Sequence, residues 1–323
     1  MARIKCDVAA IWDANDIRQI LNFPHHDSVS HCLIEAPFIG VEQMIGLLRD
    51  FPKVHFISRC HSNIGFLQVE AGAIGLIRQY ILMQDSELNF EFSANSLQFT
   101  EFIENTYNTR CTYLPNLYDL KRKHIKFPER HSKQLVRIAS FGATRLMKNH
   151  STAAAAAMVL AHRENLDLEF FINVSREEHG KGVLQALRNM FANVRWAKLV
   201  EVPWEAWAEF RRTVSCMDLA YQLSMSETFN LISADAVAEG VPVVGSEAIE
   251  WLPSDSQCHI DDVDEAATVG IRLIHDPRSA EKQLKGLLKY QKQALESWVE
   301  YLSNKGKQIA LTGDSEDVDE IER

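Results

Sequence analysis

The feature that most constrains this chain is an alternation. Short apolar runs take turns with longer amphipathic stretches. In the first part the runs are CDVAAIW (6–12), SHCLIEAPF (30–38), VHFISR (54–59), LNFEFSA (88–94) and CTYLPN (111–116). Between them lie VEQMIGLLRDF (41–51), IGFLQVEAGAIGLIRQYILM (64–83) and LQFTEFIENTY (97–107), which read as helices. Strand and helix in turn make βαβ units, because neighbouring parallel strands need a long crossover between them. The rhythm stops at PNLYDLKRKHIKFPERHSKQ (115–134), which has two prolines, many charges and no sustained period. Such a stretch reads as a linker. The alternation then restarts with LVRIASF (135–141) and continues through LEFFINV, VRWAKLV and MDLAYQL to VPVVGS (241–246).

The expected fold class is therefore α/β, with two Rossmann-like domains facing each other across a cleft. An abbreviated N-terminal domain takes residues 1–120, a basic linker 121–134 and a second domain 135–310. The second domain closes with a long helix over 279–310, where Leu284, Leu288, Leu295, Trp298 and Leu302 recur at helical spacing and pack back on the sheet. The acidic segment 311–323 is expected to be disordered. Open parallel sheets bind ligands at the carboxyl ends of their strands, so the cleft is the default site.

Bulk composition narrows the function. The 323 residues are 46% hydrophobic and 24% charged, a globular profile. No apolar run reaches the ~18 residues of a membrane-spanning helix, and the N-terminus lacks a signal-peptide layout. A cytoplasmic protein without a membrane span is the expectation. The six cysteines are scattered singly and form no CxxC pair, so most are expected to be buried reduced thiols. His25, His26 and Asp27, with His31, lack metal-site spacing, and no metal is expected.

Charge is unevenly spread. The last twelve residues hold six acids against one Arg, half of the net charge of −10. Residues 121–133 hold six Lys or Arg against one Glu. An acidic protein is a poor indiscriminate binder of nucleic acid, yet a local basic strip guides a phosphate-bearing partner. Lys121, Arg122, Lys123 and Lys126 are the candidate contacts there; a solvated linker accounts for the same charges.

The stretch SETFNLISADAVAEGVPVVGS (226–246) carries the chemistry. Glu227 follows a strand and precedes a helix, and Asp235 falls inside that helix. A helix N-terminus offers unpaired N–H groups and a partial positive charge, which suit a phosphate. Carboxylates accept hydrogen bonds only, which suits sugar hydroxyls. A plainer reading also fits: Ser224-Met-Ser-Glu227 has the spacing of a capping box, and Asp235 could be a solvated helix residue.

This stretch resembles the nucleotide-sugar signature of GT-B glycosyltransferases, particularly the large retaining family 4. Glu227, Phe229, Leu231, Ala236, Ala238, Gly240, Pro242, Val243 and Val244 fall in register with it. Asn230 stands where that family usually has Gly, and Asp235 where it has Glu. A second block, SFGATRLMKNH (140–150), resembles the family's G-R-x-x-x-x-K-G, with Gly142 and Lys148 at its spacing. Ala143 holds the Arg position, and Arg145 lies two residues on. CTYLPNLYD resembles the segment that closes the first domain, and His61 of SRCHSN falls where family 4 often has a His facing the donor sugar. The compact chain also resembles small glycosyltransferase-like proteins of bacteriophages.

The resemblance implies a retaining transfer of sugar from a nucleotide diphosphate sugar, a UDP-sugar foremost, to an acceptor hydroxyl. No other cofactor is implied. It implies that Glu227 orients the donor sugar, with His61 on a sugar hydroxyl and Asp235 on the ribose. Lys148 and Arg145 would meet the diphosphate beside Gly142, and the backbone at Thr228, Asn230 and Leu231 would line the phosphates. The acceptor is a glycan or, as the alternative, a hydroxylated base in DNA. The departures at Ala143, Asn230 and Asp235 leave two further readings open, a non-catalytic nucleotide-sugar binder and a sugar-nucleotide epimerase.

Overall fold

A computed structural model describes residues 6–24, 28–118 except 85 and 87, residue 120, and residues 134–176 and 181–313. The chain forms two compact units, Met1–Leu114 and Pro115–Arg323. The basic residues Lys121, Arg122, Lys123 and Lys126, the pair His25-His26 with Asp27, and positions 314–323 lie outside the described residues.

The first unit holds one parallel sheet of β1 (His31–Glu35), β2 (His55–Cys60), β3 (Phe90–Ala94) and β4 (Thr112–Tyr113), side by side in chain order. Its helices are α1 (Ala14–Leu21), α2 (Val41–Asp50), α3 (Ile64–Leu67), α4 (Ala71–Gln84) and α5 (Leu97–Tyr107). Right-handed crossovers between strands laid down in order put every crossover helix on one face. The core shows this. Phe56, Cys60, Phe90, Phe92 and Ala94 pack with Met44 and Leu47 of α2, Ile77 and Tyr80 of α4, and Phe99 and Ile103 of α5. The alternate residues point to the opposite face. There His55, Arg59, Glu91 and Ser93 are buried and mostly polar.

Two expectations fail in this unit. CDVAAIW is not a strand: Val8 is 94% exposed and Trp12 87%. A local cap decides it. Asp13 accepts from the backbone N–H groups of Asn15 and Asp16, and Asp16 accepts from those of Trp12 and Asp13. This reciprocal cap draws the end of the apolar run into the start of α1. The single helix expected over 64–83 is two helices, because residues 66–70 close as tight turns, with Val69 N–H on the Phe66 carbonyl and Glu70 N–H on the Leu67 carbonyl.

The second unit is a six-stranded parallel sheet in the order β10-β9-β8-β5-β6-β7. The strands are β5 (Leu135–Ser140), β6 (Asp167–Asn173), β7 (Ala197–Val202), β8 (Leu219–Gln222), β9 (Val243–Ser246) and β10 (Gln257–Cys258). The helices are α6 (His150–Arg163), α7 (Lys181–Phe191), α8 (Trp207–Val214), α9 (Leu231–Ala238), α10 (Val263–His275) and α11 (Ser279–Gly313). The chain moves outward from β5 to β7, then returns to the other side of β5 and moves away again. Two cores result. One face packs Ile138, Phe170 and Tyr221 against α6, α7 and α10; the other packs Ala139, Ala220 and Val243 against α8, α9 and α11.

Helix α11 packs on this unit through side-chain bonds to strand and loop backbone. Gln283 brackets Val243, accepting from its N–H at 2.9 Å and donating to its carbonyl at 2.7 Å. Tyr290, Gln291 and Trp298 hold the backbone of Pro115, Asn116 and Tyr118. These bonds tie the segment after β4 to α11. Among the described residues no helix is long and apolar enough to cross a membrane.

Candidate functional site

In an open parallel sheet a crevice forms where the strand order reverses, outside the carboxyl ends of the strands. Here the reversal lies between β5 and β8. The loop after β5 carries Gly142 and Lys148, and the loop after β8 carries Glu227. Residues about eighty apart in sequence therefore meet: Lys148 Nζ donates to Glu227 Oε1 at 2.5 Å. Both side chains are mostly buried, 17% and 11% exposed. The two loops are also tied through backbone, with Met225 N–H on the Met147 carbonyl at 2.9 Å.

Gly142 has φ of +116°, a value L side chains rarely adopt. Its N–H donates to Asn173 Oδ1 at 3.0 Å, and Thr144 donates its hydroxyl to the Asn173 carbonyl. The end of β6 thereby shapes the turn that aims Lys148. His150, at the start of α6, braces the same turn. Its Nδ1 lies 2.9 Å from Ser140 Oγ, and Nε2 lies 3.4 Å from the Ala143 carbonyl. Burial pushes the His150 imidazole down to about 4, with the nearby Lys148 charge acting the same way and the Ala143 carbonyl opposing.

The departure at Asn230 keeps the backbone a glycine would give. Asn230 has φ 61° and ψ 85°, and Asn149, after Lys148, has φ 54° and ψ 39°. Asn tolerates the left-handed region better than other side chains. Asn230 is also the N-cap of α9, its Oδ1 accepting from Ser233 N–H at 2.8 Å. The capping-box reading of Ser224 and Glu227 is thus overturned, since the helix starts at Leu231 and Asn230 closes it. Helix α9 ends at Ala238, and two residues on Gly240, with φ of +83°, lets Val241 N–H turn back onto the Ala236 carbonyl.

Asp235 lies apart from this cluster. It is 4% exposed, which removes the solvated reading. Its Oδ1 accepts from the Tyr118 hydroxyl at 2.6 Å, and the Trp207 indole N–H stands 3.3 Å from both oxygens. Burial raises its carboxyl above the usual range, against the hydrogen bond from Tyr118 and the charge of Arg211. Arg211 stacks over the Trp207 ring at 4.9 Å and pairs with Glu239 at 2.5 Å.

Leu231 is 57% exposed at the first position of α9; Thr228 and Arg145 are half-buried in the two loops. His61 belongs to the first unit, just beyond β2. Its Nε2 is 2.5 Å from Glu35 Oε2, and Asn95 Nδ2 is 3.1 Å from its Nδ1. An amide NH2 donates, so Nδ1 accepts and Nε2 carries the proton toward Glu35. Burial alone would raise the Glu35 carboxyl. The hydrogen bond from His61 and the Arg59 guanidinium outweigh it and hold the group below its usual range. Among the described residues no three His, Cys, Asp or Glu side chains converge as a metal site.

Sequence reading missed Asn173 and Gln222, which brace the loop after β5 from β6 and β8, and Tyr118 and Trp207, which hold Asp235. It also missed Trp204, 47% exposed after β7, with Arg176 over its ring at 4.9 Å. A tryptophan directly after an apolar run, in VPWEAW (202–207), was the available signal.

No family model matches the sequence, and no curated protein is similar to it in sequence. Solved structures are similar in fold. An alpha,alpha-trehalose-phosphate synthase (UDP-forming) from Burkholderia xenovorans, in complex with glucose-6-phosphate, superposes with a TM-score of 0.64 at 13% identity, covering 90% of this chain and 75% of that one. A trehalose-6-phosphate protein from E. coli bound with UDP-2-fluoro glucose gives 0.62 at 12%, covering 90% and 75%. Sucrose-phosphate synthase from Thermosynechococcus elongatus gives 0.63 at 13%, covering 91% and 77%. The chain has the GT-B fold of these glycosyltransferases.

Proposed function

We propose that this protein transfers a sugar from a nucleotide diphosphate sugar, with UDP as the nucleotide, to an acceptor hydroxyl, with retention at the anomeric carbon. The observation that carries the reading is the Lys148–Glu227 pair in the loops after β5 and β8, where the order of the second sheet reverses. A buried cation beside a carboxylate at that crevice suits a ligand carrying phosphate at one end and hydroxyls at the other.

In this reading Lys148 and Arg145 stabilise charge on the diphosphate as it leaves, together with the backbone N–H groups of Leu231 and Ile232 at the start of α9. These cations supply the stabilisation without a metal ion. Glu227 accepts hydrogen bonds from the donor sugar. The acceptor oxygen attacks the anomeric carbon on the face the diphosphate leaves. The carbon–phosphate-oxygen bond breaks with its electron pair on the phosphate, and that oxygen takes the acceptor's proton. Asp235 reaches the ribose by exchanging its long Trp207 contact for a ribose hydroxyl, and the Tyr118 bond stays. Trp204 offers a flat face for the base.

Incubation with UDP-, GDP- and ADP-sugars, reading released nucleotide with and without sugar acceptors, tests this. Turnover of a UDP-sugar is expected; tight binding without any turnover points instead to a non-catalytic binder, and an altered sugar nucleotide without acceptor to an epimerase. The basic stretch 121–133 favours a second acceptor, a hydroxylated base in DNA. Activity on such DNA that falls steeply with salt supports it; salt-independent activity sinks it.

A further inference from the structure

A glycine at position 230 would supply left-handed backbone and nothing more. Asn230 supplies a helix cap and a carboxylate contact besides. Its Nδ2 donates to Glu227 Oε1 at 3.0 Å and to Gln222 Oε1 at 3.2 Å. Gln222 is fixed in turn, since its Nε2 donates to the Phe141 carbonyl at 3.1 Å. The orientation of the Asn230 amide is therefore determined. Turned over, its oxygen would face a carboxylate and a carbonyl oxygen, and Ser233 N–H would lose its acceptor. Asn230 and Gln222 are 4% and 2% exposed, so neither amide has room to wander.

Glu227 Oε1 receives two donors at once, Lys148 Nζ and Asn230 Nδ2. A lysine that binds the diphosphate must turn from the carboxylate toward the phosphate. Asn230 cannot follow, because its oxygen caps α9 and its nitrogen is tied to Gln222. We infer that Asn230 is a positioning residue: its amide holds the Glu227 carboxylate aimed at the donor sugar once Lys148 has moved to the diphosphate. This rests on the donor-site reading above.

The test compares UDP-glucose with UDP by calorimetry on the full-length protein. Asn230→Asp keeps left-handed tolerance and the helix cap but places a carboxylate oxygen where Nδ2 stood. Its UDP-glucose affinity is expected to fall ~10–100-fold, the scale of a lost hydrogen bond to a charged group. UDP affinity stays within about threefold, and the melting temperature moves by only a few degrees. Asn230→Gly, which removes contact and cap without adding charge, shows a smaller loss of the same selectivity and a lower melting temperature. It answers the question should the Asp variant not fold. A purely structural role would lower the melting temperature and weaken both ligands alike. Equal losses, or unchanged UDP-glucose affinity, overturn the inference alone; wild-type protein that binds neither ligand overturns the donor reading with it.

Discussion

The two sheets are built from the same strand–helix units, yet only one reverses its order. In Met1–Leu114 the strands follow chain order, the crossover helices share one face, and the other face buries His55, Arg59 and Glu91. In Pro115–Arg323 the order turns back between β5 and β8, and helices cover both faces. Reversal sends successive helices to opposite sides, which opens the crevice between two loops. The second sheet places Lys148 and Glu227 in those two loops, while the first has no reversal among its four strands. The proposed donor chemistry therefore draws on the second unit.

The largest effect should come from that pair. Lys148→Ala and Glu227→Ala are each expected to cut turnover of a nucleotide sugar by ~10²–10³-fold while the chain stays folded. Steady-state nucleotide release with parallel thermal melts checks this; near-wild-type rates in both variants would break the comparison. Next is the acid response. His150 titrates near 4 in the folded protein and near 6.5 unfolded, so the unfolded chain binds the extra proton first as pH falls. Its stabilising contribution is full above pH 6.5 and is lost toward pH 4, on the order of 3 kcal/mol. Urea melts at pH 7 and pH 4.5 should show that loss, and His150→Gln should flatten it. Gly142→Ala comes third. The +116° φ makes any side chain strained, and a loss of about 1–3 kcal/mol is expected in denaturant melts, with little change from Gly182→Ala, where a Cβ meets nothing within 4 Å. The smallest effect belongs to the first unit. His61→Ala should leave UDP affinity within about twofold by calorimetry, since a residue outside the nucleotide site acts independently of it.

Much of this comparison is legible in the sequence. The strand–helix rhythm announces two α/β units, and the spacing of Gly142, Lys148 and Glu227 marks the loops that meet. Other features depend on pairing, which a sequence does not display. CDVAAIW has a strand's apolar content, but the Asp13–Asp16 cap claims its end for a helix. Asp235 reads as a ligand by position, but its burial against Tyr118 and Trp207, 117 and 28 residues away, has no mark in the sequence. Asn230 reads as a departure from a glycine motif, but its backbone angles are those a glycine would take. Its clamp on Glu227 depends on Gln222, which belongs to a different element.

Hydrogen–deuterium exchange of the full-length protein with and without UDP tests the central claim most directly. UDP should slow exchange in residues 141–150 and 224–233, the loops after β5 and β8, and leave β1 to β4 unchanged. Protection confined to Met1–Leu114, with those two loops exchanging as freely as before, would contradict it.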